Sequence, residues 1–506
     1  MSNTRAVLQV FEKYQKARVE FVQTVAEAAT RPQNIEALQN AGVMSLLRPL
    51  LLDNVPSIQQ SAAIALGRLA NYNDELAEAV VSNEILPQLV FSLAEQNRFY
   101  KQAAAFVLRA VAKHSPVLAQ AVVDSGALDA LVGCLEEFDP AVKESAAWAL
   151  GYIARHNAQL AQAVVDSGAI ALLILCVQEP ELSLKRISAS ALSDIAKHTP
   201  ELAQAVVDGG AVAYLAPLIT YPDGKLKRQV CSALGQIAKH SVDLAEVVVE
   251  ADIFPKILTC LKDADPFTRK NACTAIREVV KHTPELAQLI VSNGGAGALV
   301  DYTNEASGNN VLPGVMALGY IAAFSETLAL AVIMSNGVKP LLDSLITEQE
   351  DHIKSASAWS LGQIGRHSPD HSKAVSDIGA LPQLVAAFKS PDASDDLRTK
   401  CKRAMKSIVG KSTVLSALEP LITVCPEELL KPVISQIAKI LPNNAEARTA
   451  FVKSGALQRI QQITAEEGSV LREAIEEING CYPEEIVKYY SPNYADELIS
   501  RLDSKE

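Results

Sequence analysis

A short phrase, VVDSGAL in its fullest form, returns through most of the chain at an almost constant interval. The aligned point of the phrase advances by 42 residues at each step, with a single step of 43 between Gly294 and Gly337. Its positions are Gly42, Glu84, Gly126, Gly168, Gly210, Asp252, Gly294, Gly337 and Gly379. A unit of this kind is not stable alone, so successive units must stack and share a continuous core. The repeat therefore predicts one elongated array rather than several independent domains.

Recurring capping residues and prolines divide each unit into three helices. A Ser or Thr followed by Pro opens the first helix, since the hydroxyl caps it and Pro suits its first position; these pairs are Ser115-Pro116, Thr199-Pro200, Thr283-Pro284 and Ser368-Pro369. The Gly of the phrase ends that helix in a left-handed conformation, and a second helix follows at once. Asp139-Pro140 and Asp265-Pro266 open the third and longest helix. Three helices in 42 residues are the armadillo pattern rather than the two-helix HEAT pattern, so we expect an all-α, right-handed superhelical armadillo-repeat solenoid.

The composition supports helices and narrows the range of partners. The 506 residues are 49% hydrophobic but only 5% aromatic, so small aliphatic side chains supply the faces that pack helices together. A net charge of −12 argues against a surface that neutralises phosphates, and we expect no nucleic acid partner. The longest apolar run, residues 169–177, is far shorter than the about 20 residues of a membrane span. We expect no membrane partner and no export, with the cysteines reduced in the cytoplasm.

The regularity of the phrase varies along the chain and suggests four parts. We expect N-terminal capping helices over residues 1–41 and regular repeats over 42–390. The phrase then returns only at Gly455, so residues 391–480 are interpreted as degenerate repeats that close the array. Residues 481–506 form a tail with four tyrosines, Tyr482, Tyr489, Tyr490 and Tyr494.

The residues that most resemble catalytic groups follow the repeat instead of converging on one point. Six histidines occupy one repeat position, namely His114, His156, His198, His240, His282 and His367. Packed helices lie about 8–10 Å apart, whereas zinc needs each imidazole nitrogen at about 2 Å, so we interpret these histidines as capping the carbonyls at the end of their own helices. The sequence Gly410-Lys411-Ser412 lacks the first Gly of a phosphate-binding loop and follows no strand. We therefore expect no enzyme activity, no metal site and no cofactor.

Two rows of basic residues follow the third helices of this acidic chain. The first row is Lys113, Arg155, Lys197, Lys239, Lys281 and Arg366, and the second is Lys101, Lys143, Lys185, Lys227, Arg269 and Lys354. Asp194 and Glu278 lie one turn before Lys197 and Lys281, but the other members of the first row lack an acidic residue there. Two interpretations stay open: a groove for an acidic peptide, or a solvated face of salt bridges.

A groove that carries basic nuclear-localisation peptides is disfavoured by the residues that would form it. Such armadillo proteins repeat a Trp followed four residues later by Asn. The Trp position here holds Trp148 and Trp359 but otherwise mixed residues, and the Asn position holds no Asn.

The seventh repeat departs from its neighbours in several ways. It is interpreted as holding the extra residue, its third helix begins near Pro313-Gly314, and Phe324 replaces the histidine. We predict that Pro313, Gly314 and Phe324 form a local change in curvature or an apolar contact.

Four segments resemble one known family closely. They are VLQVFEKYQKAR (7–18), QNRFYKQAAAFVLRAVAKHSP (96–116), ALSDIAKHTPELAQ (191–204) and CYPEEIVKYYSP (481–492). They are similar to the sperm-associated antigen six family, the armadillo proteins of the ciliary central apparatus. The resemblance implies a non-catalytic scaffold of the axonemal central pair in the cytoskeleton of the cilium or flagellum. It would be associated with a central microtubule and other central-apparatus proteins and needed for motility. Self-association stays an open alternative. A soluble peptide-binding adaptor of the catenin or transport type is the alternative.

Overall fold

The computed structural model describes residues 2–94, 97–494 and 499–500, and within them the regular structure is helical, without a strand. The predicted all-α repeat fold with three helices per unit is confirmed. The chain divides into two compact units, Met1–Ala275 and Ile276–Glu506. Within this described part, no single helix has both the length and the apolar character of a membrane span, although four bent helix pairs meet that test by length and composition.

The first helix of each repeat is about two and a half turns long and begins at a capping side chain. The Oγ atom of Ser115 accepts from the amide of Leu118 at 3.2 Å, and the same bond forms at Thr199 and Thr283. The predicted cap is wrong at Ser368, whose hydroxyl contacts Nδ1 of His371 instead. The first helices are Pro32–Asn40, Asp74–Ser82, Pro116–Asp124, Ala158–Asp166, Pro200–Asp208, Val242–Glu250, Pro284–Ser292, Glu326–Met334 and Pro369–Asp377.

The second helices are short and follow a residue in the left-handed conformation. Gly126, for example, has φ of 80° and leads directly into the next helix. The second helices are Val43–Leu47, Leu86–Leu93, Ala127–Cys134, Ala169–Gln178, Ala211–Leu215, Lys256–Cys260, Gly295–Glu305, Val338–Thr347 and Ala380–Lys389. Short 3₁₀ helices, Arg48–Leu52 and Ala216–Thr220, extend two of them.

The left-handed residue also corrects the position of the extra residue. Asn336 has φ of 61°, whereas the adjacent Gly337 has an ordinary φ of −71°. The step from Gly294 to Asn336 is therefore the regular 42 residues, and the longer step follows Asn336. The prediction that the seventh repeat holds the extra residue is wrong, because Asn tolerates the left-handed conformation and takes the position expected for Gly337.

The third helices supply most of the buried core. In Pro140–Ala154 the fully buried positions are small or aliphatic, among them Ala146, Ala147 and Leu150. The third helices are Pro56–Ala70, Arg98–Ala112, Pro140–Ala154, Leu182–Ala196, Gly224–Ala238, Pro266–Val280, Leu312–Phe324, Asp351–Gly365 and Asp395–Val409. The boundary between the two units falls inside Pro266–Val280.

Third helices of neighbouring repeats pack closely because small residues meet at their crossings. A Cβ atom added to Gly151 would lie 3.2 Å from Cβ of Ala191, and one added to Gly362 would lie 2.9 Å from Cα of Ala404. These separations leave too little room for a side chain at either glycine unless the neighbouring helix moves. The crossings therefore hold successive third helices side by side within each unit.

The two ends of the chain carry less regular helices. A long helix, Ser2–Ala28, precedes the first repeat and packs against Pro56–Ala70. Beyond Asp395–Val409 the helices are Leu415–Leu418, Leu421–Val424, Glu427–Ile440, Ala445–Lys453, Ala456–Gln461, Val470–Gly480 and Glu484–Tyr489. In the tail, the Tyr482 hydroxyl donates to the carbonyl of Arg448 at 3.2 Å, and Tyr489 contacts Tyr490 and Tyr494. Residues 495–498 and 501–506 of the expected tail lie outside the described residues.

Candidate functional site

The third helices present one face to a shallow groove, which we call the groove face. In the N-terminal unit, Trp148, Tyr152 and Arg155 from one helix meet residues of the next two helices around an open pocket. Those helices contribute Arg186, Ile187, Ser190, Ala191, Ser193, Asp194, Lys225, Arg228, Gln229 and Ser232. Because an α-helix repeats every 3.6 residues, positions three and four apart share this face. The groove face is therefore built from the same positions of successive repeats.

Aromatic rings and guanidinium groups alternate along the N-terminal part of the groove face. The guanidinium carbon of Arg109 lies 4.8 Å from the ring centroid of Phe106 and 4.0 Å from that of Trp148. Trp148 in turn stacks on Tyr152 at 6.4 Å, and Arg155 lies over the Tyr152 ring at 5.4 Å. Burial lowers the pKa of Arg109 from its ordinary value. The negative charge of Glu144, which lines the same pocket, partly opposes this lowering.

The first basic row contacts carbonyl groups that the sequence did not reveal. Lys113 Nζ donates to the carbonyl of Asn71 at 2.7 Å, where the third helix of the preceding repeat ends. Lys239 makes the same contact with the carbonyl of Lys197, and Arg366 with that of Ala323. Helix C-termini carry unsatisfied carbonyls and partial negative charge, which favours a cation there.

These contacts add partners that the sequence analysis of that row did not include. Lys113, Lys239 and Arg366 have no acidic residue one turn earlier and instead contact carbonyls of the preceding repeat. The predicted pairs are confirmed, since Lys197 lies 3.0 Å from Asp194 and Lys281 lies 2.5 Å from Glu278. The row therefore has a structural role, and its binding of an acidic peptide stays a prediction.

Three of the six residues of the second basic row form ion pairs within the chain. Lys101 Nζ lies 2.6 Å from Glu137, and Lys143 Nζ lies 2.5 Å from Glu179. Lys227 pairs with Asp263 in the same way. Each pair joins the start of a third helix to the loop before the third helix of the following repeat. These residues form salt bridges between repeats, but Lys101 is buried, so this part of the row is not a solvated face.

The histidines of the shared position also connect neighbouring repeats. Nε2 of His114 lies 2.7 Å from the carbonyl oxygen of Ala70. The corresponding distances are 2.6 Å from His156 to Ala112 and 2.7 Å from His198 to Ala154. The expectation that each imidazole caps its own helix is wrong, because the acceptor lies in the preceding repeat. Burial lowers the pKa of His198 from its ordinary value. Within the described residues, no three His, Cys, Asp or Glu side chains are placed to hold a metal ion.

The seventh repeat places its three predicted residues inside its own packing. Pro313 and Gly314 are buried, and a Cβ atom added to Gly314 would collide with Thr303 and approach Tyr302. Neither residue is accessible, so the predicted apolar contact at Pro313 and Gly314 is wrong. Phe324 is half-buried at the end of the same helix. The predicted change of curvature stays a prediction.

Two groove residues missed in the sequence occupy a position that elsewhere holds a small residue. Gly67, Gly151, Ser193, Gly235, Gly319 and Gly362 share this position with Arg109 and Arg277. Arg109 lies between two rings, and Arg277 Nε donates to Glu278 at 3.0 Å. A large charged residue at a position that otherwise holds Gly or Ser is the sequence signal that identifies both arginines. Three further cations, Lys400, Arg403 and Lys406, were missed because the phrase that gives the register is absent there.

Two segments of the chain match known repeat families. Residues 115–155 match the armadillo/beta-catenin-like repeat, and residues 253–283 match the HEAT repeat. The HEAT match covers a unit whose second helix, Lys256–Cys260, is only 5 residues long, so the unit approaches a two-helix pattern. An engineered protein of known crystal structure has a TM-score of 0.69 and 23% identity, and the match covers 87% of this chain and 98% of that chain. This last likeness concerns the fold alone.

The fold and its groove define an armadillo-repeat protein. Sperm-associated antigen 6 of mouse is 70% identical over 500 residues, which cover 99% of this chain and 99% of the relative. The human protein of the same name is also 70% identical over 500 residues, covering 99% of this chain and 98% of the relative. The chain therefore belongs to the sperm-associated antigen 6 family.

Proposed function

We propose that this chain is a non-catalytic structural scaffold of the axonemal central pair, associated with a central microtubule and required for ciliary or flagellar motility. The observation that carries the proposal is 70% identity over 99% of the chain with the sperm-associated antigen 6 proteins. That coverage includes the tail segment 481–492, which no repeat requires.

The distribution of polar groups supports a structural rather than a catalytic role. The histidines of the shared position bind backbone carbonyls, and Lys101, Lys143 and Lys227 of the second basic row form ion pairs between repeats. A catalytic base needs a reactive partner within hydrogen-bond reach. These groups instead hold consecutive repeats together, as an extended protein scaffold needs.

The groove face supports association with an acidic partner such as the microtubule, whose tubulin tails are acidic. Arg155 lines the groove of the N-terminal unit, and Lys281 and Arg366 line pockets of the C-terminal unit. Single exposed ion pairs contribute at most about 1 kcal/mol, so several cations must act together.

The scaffold role is tested by returning the tagged chain to ciliated cells that lack their own copy. We expect the tag along the central pair in electron tomograms and recovery of the ciliary beat. A tag that remains in the cytoplasm or at the membrane while the beat recovers would contradict the central-pair role and favour the soluble adaptor.

A second experiment asks whether the first basic row contributes to the association. Lys113, Arg155, Lys239 and Arg366 are replaced together by Glu, and microtubule co-sedimentation and thermal unfolding are measured. We expect weaker co-sedimentation, most clearly at low salt. The matched control replaces four exposed lysines of the C-terminal unit by Glu, namely Lys339, Lys373, Lys431 and Lys453. Equal co-sedimentation of the two folded variants would refute a role for the row and leave the scaffold role intact.

A further inference from the structure

The C-terminal unit contains a pocket with an unusual concentration of positive charge, which we call the C-terminal basic pocket. Arg366 follows the third helix Asp351–Gly365, and the next third helix supplies Lys400, Arg403 and Lys406. Lys411 follows that helix. The remaining lining residues are Trp359, Gly362, Gln363, Ala404, Ser407 and Gly410. Five cations thus surround one open pocket of a protein whose net charge is −12.

The pocket has no acidic side chain in its lining. Among the described residues, no acidic side chain forms an ion pair with Lys400, Arg403, Lys406 or Lys411. The neighbouring Lys402, which lies outside the pocket, does pair with Glu428, at 3.1 Å. Arg403, Lys406 and Lys411 are exposed to solvent. Like charges held this closely repel one another, and an anion placed among them would relieve that repulsion.

The floor of the pocket lies at the level of the backbone. Gly362 faces Ala404, and a Cβ atom added to Gly362 would lie only 2.9 Å from Cα of Ala404, so the two helices meet without large side chains between them. Trp359 borders the floor, and its ring contacts Tyr320 edge-on at 5.1 Å. The half-buried Gln363 offers an amide donor and acceptor at the same edge. A ligand backbone can therefore lie on the floor while its side chains reach the cations.

We propose that the C-terminal basic pocket binds an extended peptide segment that carries consecutive Glu or Asp residues. From Lys400 to Lys406 the helix rises about 9 Å at 1.5 Å per residue, which matches about three residues of extended peptide. The step across to Arg366 on the neighbouring helix is about 8–10 Å, again about three residues. Carboxylates on a short extended segment thus meet cations of both helices.

The local extent of the positive charge favours a peptide over a nucleic acid. A nucleic acid continues beyond the pocket as a dense polyanion and would meet a chain with 58 acidic and 46 basic residues. The negative charge of an acidic peptide segment, in contrast, is confined to a few residues and matches the limited extent of the cations in the pocket. Its backbone also offers hydrogen-bond groups to Gln363.

The test uses the full chain and a fluorescent peptide of ten glutamates, with binding measured by anisotropy at low salt. The pocket variant is Lys400→Glu, Arg403→Glu and Lys406→Glu together. The control variant carries the same change of charge at exposed lysines outside the third helices, Lys339→Glu, Lys373→Glu and Lys453→Glu. We expect the pocket variant to weaken binding by at least about tenfold, the control to stay within about twofold, and a ten-glutamine peptide not to bind.

Several results would overturn the proposal. Equal loss in the pocket and control variants would show that only net charge matters. Tighter binding of a single-stranded DNA of ten nucleotides, lost in the pocket variant alone, would assign the pocket to phosphate instead. Should circular dichroism show that the Glu variant is unfolded, Lys400→Gln, Arg403→Gln and Lys406→Gln replace it, and unchanged binding by that folded variant overturns the proposal. The measurement uses the isolated chain and is independent of the central-pair role.

Discussion

The imidazole Nε2 of His156 lies 2.6 Å from the carbonyl oxygen of Ala112, in the repeat before its own. Ala112 is the last residue of the third helix Arg98–Ala112, where carbonyls lack partners within the helix. A carbonyl oxygen only accepts, so Nε2 carries a proton and donates. Where it holds a histidine with this contact, the position connects a third helix to the following repeat.

Removal of this connection should destabilise the protein. We expect His156→Ala to lower the free energy of unfolding by about 1 kcal/mol, the usual net value of one hydrogen bond. Urea unfolding followed by circular dichroism measures it. The control is His352→Ala, an exposed imidazole outside the shared position, which should stay within about 0.5 kcal/mol of the wild type. Equal stability of the His156 variant and the wild type would show that the bond contributes nothing.

Acidification should destabilise the folded chain at two of these histidines, because a charged imidazole is unfavourable where it is buried. Burial lowers the pKa of His198 and of His367 below the ordinary value of 6.5, so the folded chain keeps both imidazoles neutral where the unfolded chain protonates them. The stability that the neutral imidazoles contribute is fully present above pH 6.5, the ordinary pKa in the unfolded chain. It is lost as the pH falls from there to the lower pKa of the folded chain. We expect the double variant His198→Ala, His367→Ala to lose less stability than the wild type between about pH 7 and about pH 5. Identical pH dependence of the two unfolding midpoints would contradict the assignment.

The close crossing at Gly362 should not tolerate a methyl group. The added Cβ would lie 2.9 Å from Cα and 3.0 Å from Cβ of Ala404. We expect Gly362→Ala to destabilise the protein by about 1–3 kcal/mol through overpacking, measured by thermal unfolding. Gly297→Ala is the matched control, since nothing lies within 4 Å of its added Cβ and it should be neutral or stabilising by up to about 1 kcal/mol. Similar midpoints for both variants would show that the crossing can adjust.

The position of Arg109 between two rings should be visible in tryptophan fluorescence. The chain has two tryptophans, so Trp359→Phe leaves Trp148 as the only reporter. In that background we expect Arg109→Ala to shift the emission of Trp148 and to cost about 0.5–2 kcal/mol of stability. Arg109→Lys should restore only part of the Trp148 emission and only part of the stability, because Lys lacks the planar group that stacks on a ring. An unchanged spectrum in Arg109→Ala would show that the side chains do not stack in solution.

The sequence predicted the features that depend on residues close together in the chain. The caps at Ser115, Thr199 and Thr283 and the left-handed Gly126 follow from neighbours within a few positions. The acceptor for His156 lies 44 residues earlier, and a backbone carbonyl has no signature in the sequence. Without the crossing geometry, the basic-row partners that lie in a neighbouring repeat could not be assigned, whereas Asp194 and Glu278, one turn away, could.

Groove residues were predictable only where the repeat kept its register. Arg155 follows from the phrase, but Lys400 and Arg403 lie where the phrase is absent, and their convergence with Arg366 depends on how two helices pack. Pro313 and Gly314 suggested an exposed contact by composition, although packing against Tyr302 and Thr303 buries Gly314.

The direction of the histidine bonds also bears on how the chain is made. In His114, His156, His198 and His240 the acceptor precedes the donor by 44 residues. A ribosome releases the N-terminal residues first, so each carbonyl is already in place when its histidine emerges. A new repeat can then dock on a completed neighbour without waiting for residues still to be synthesised.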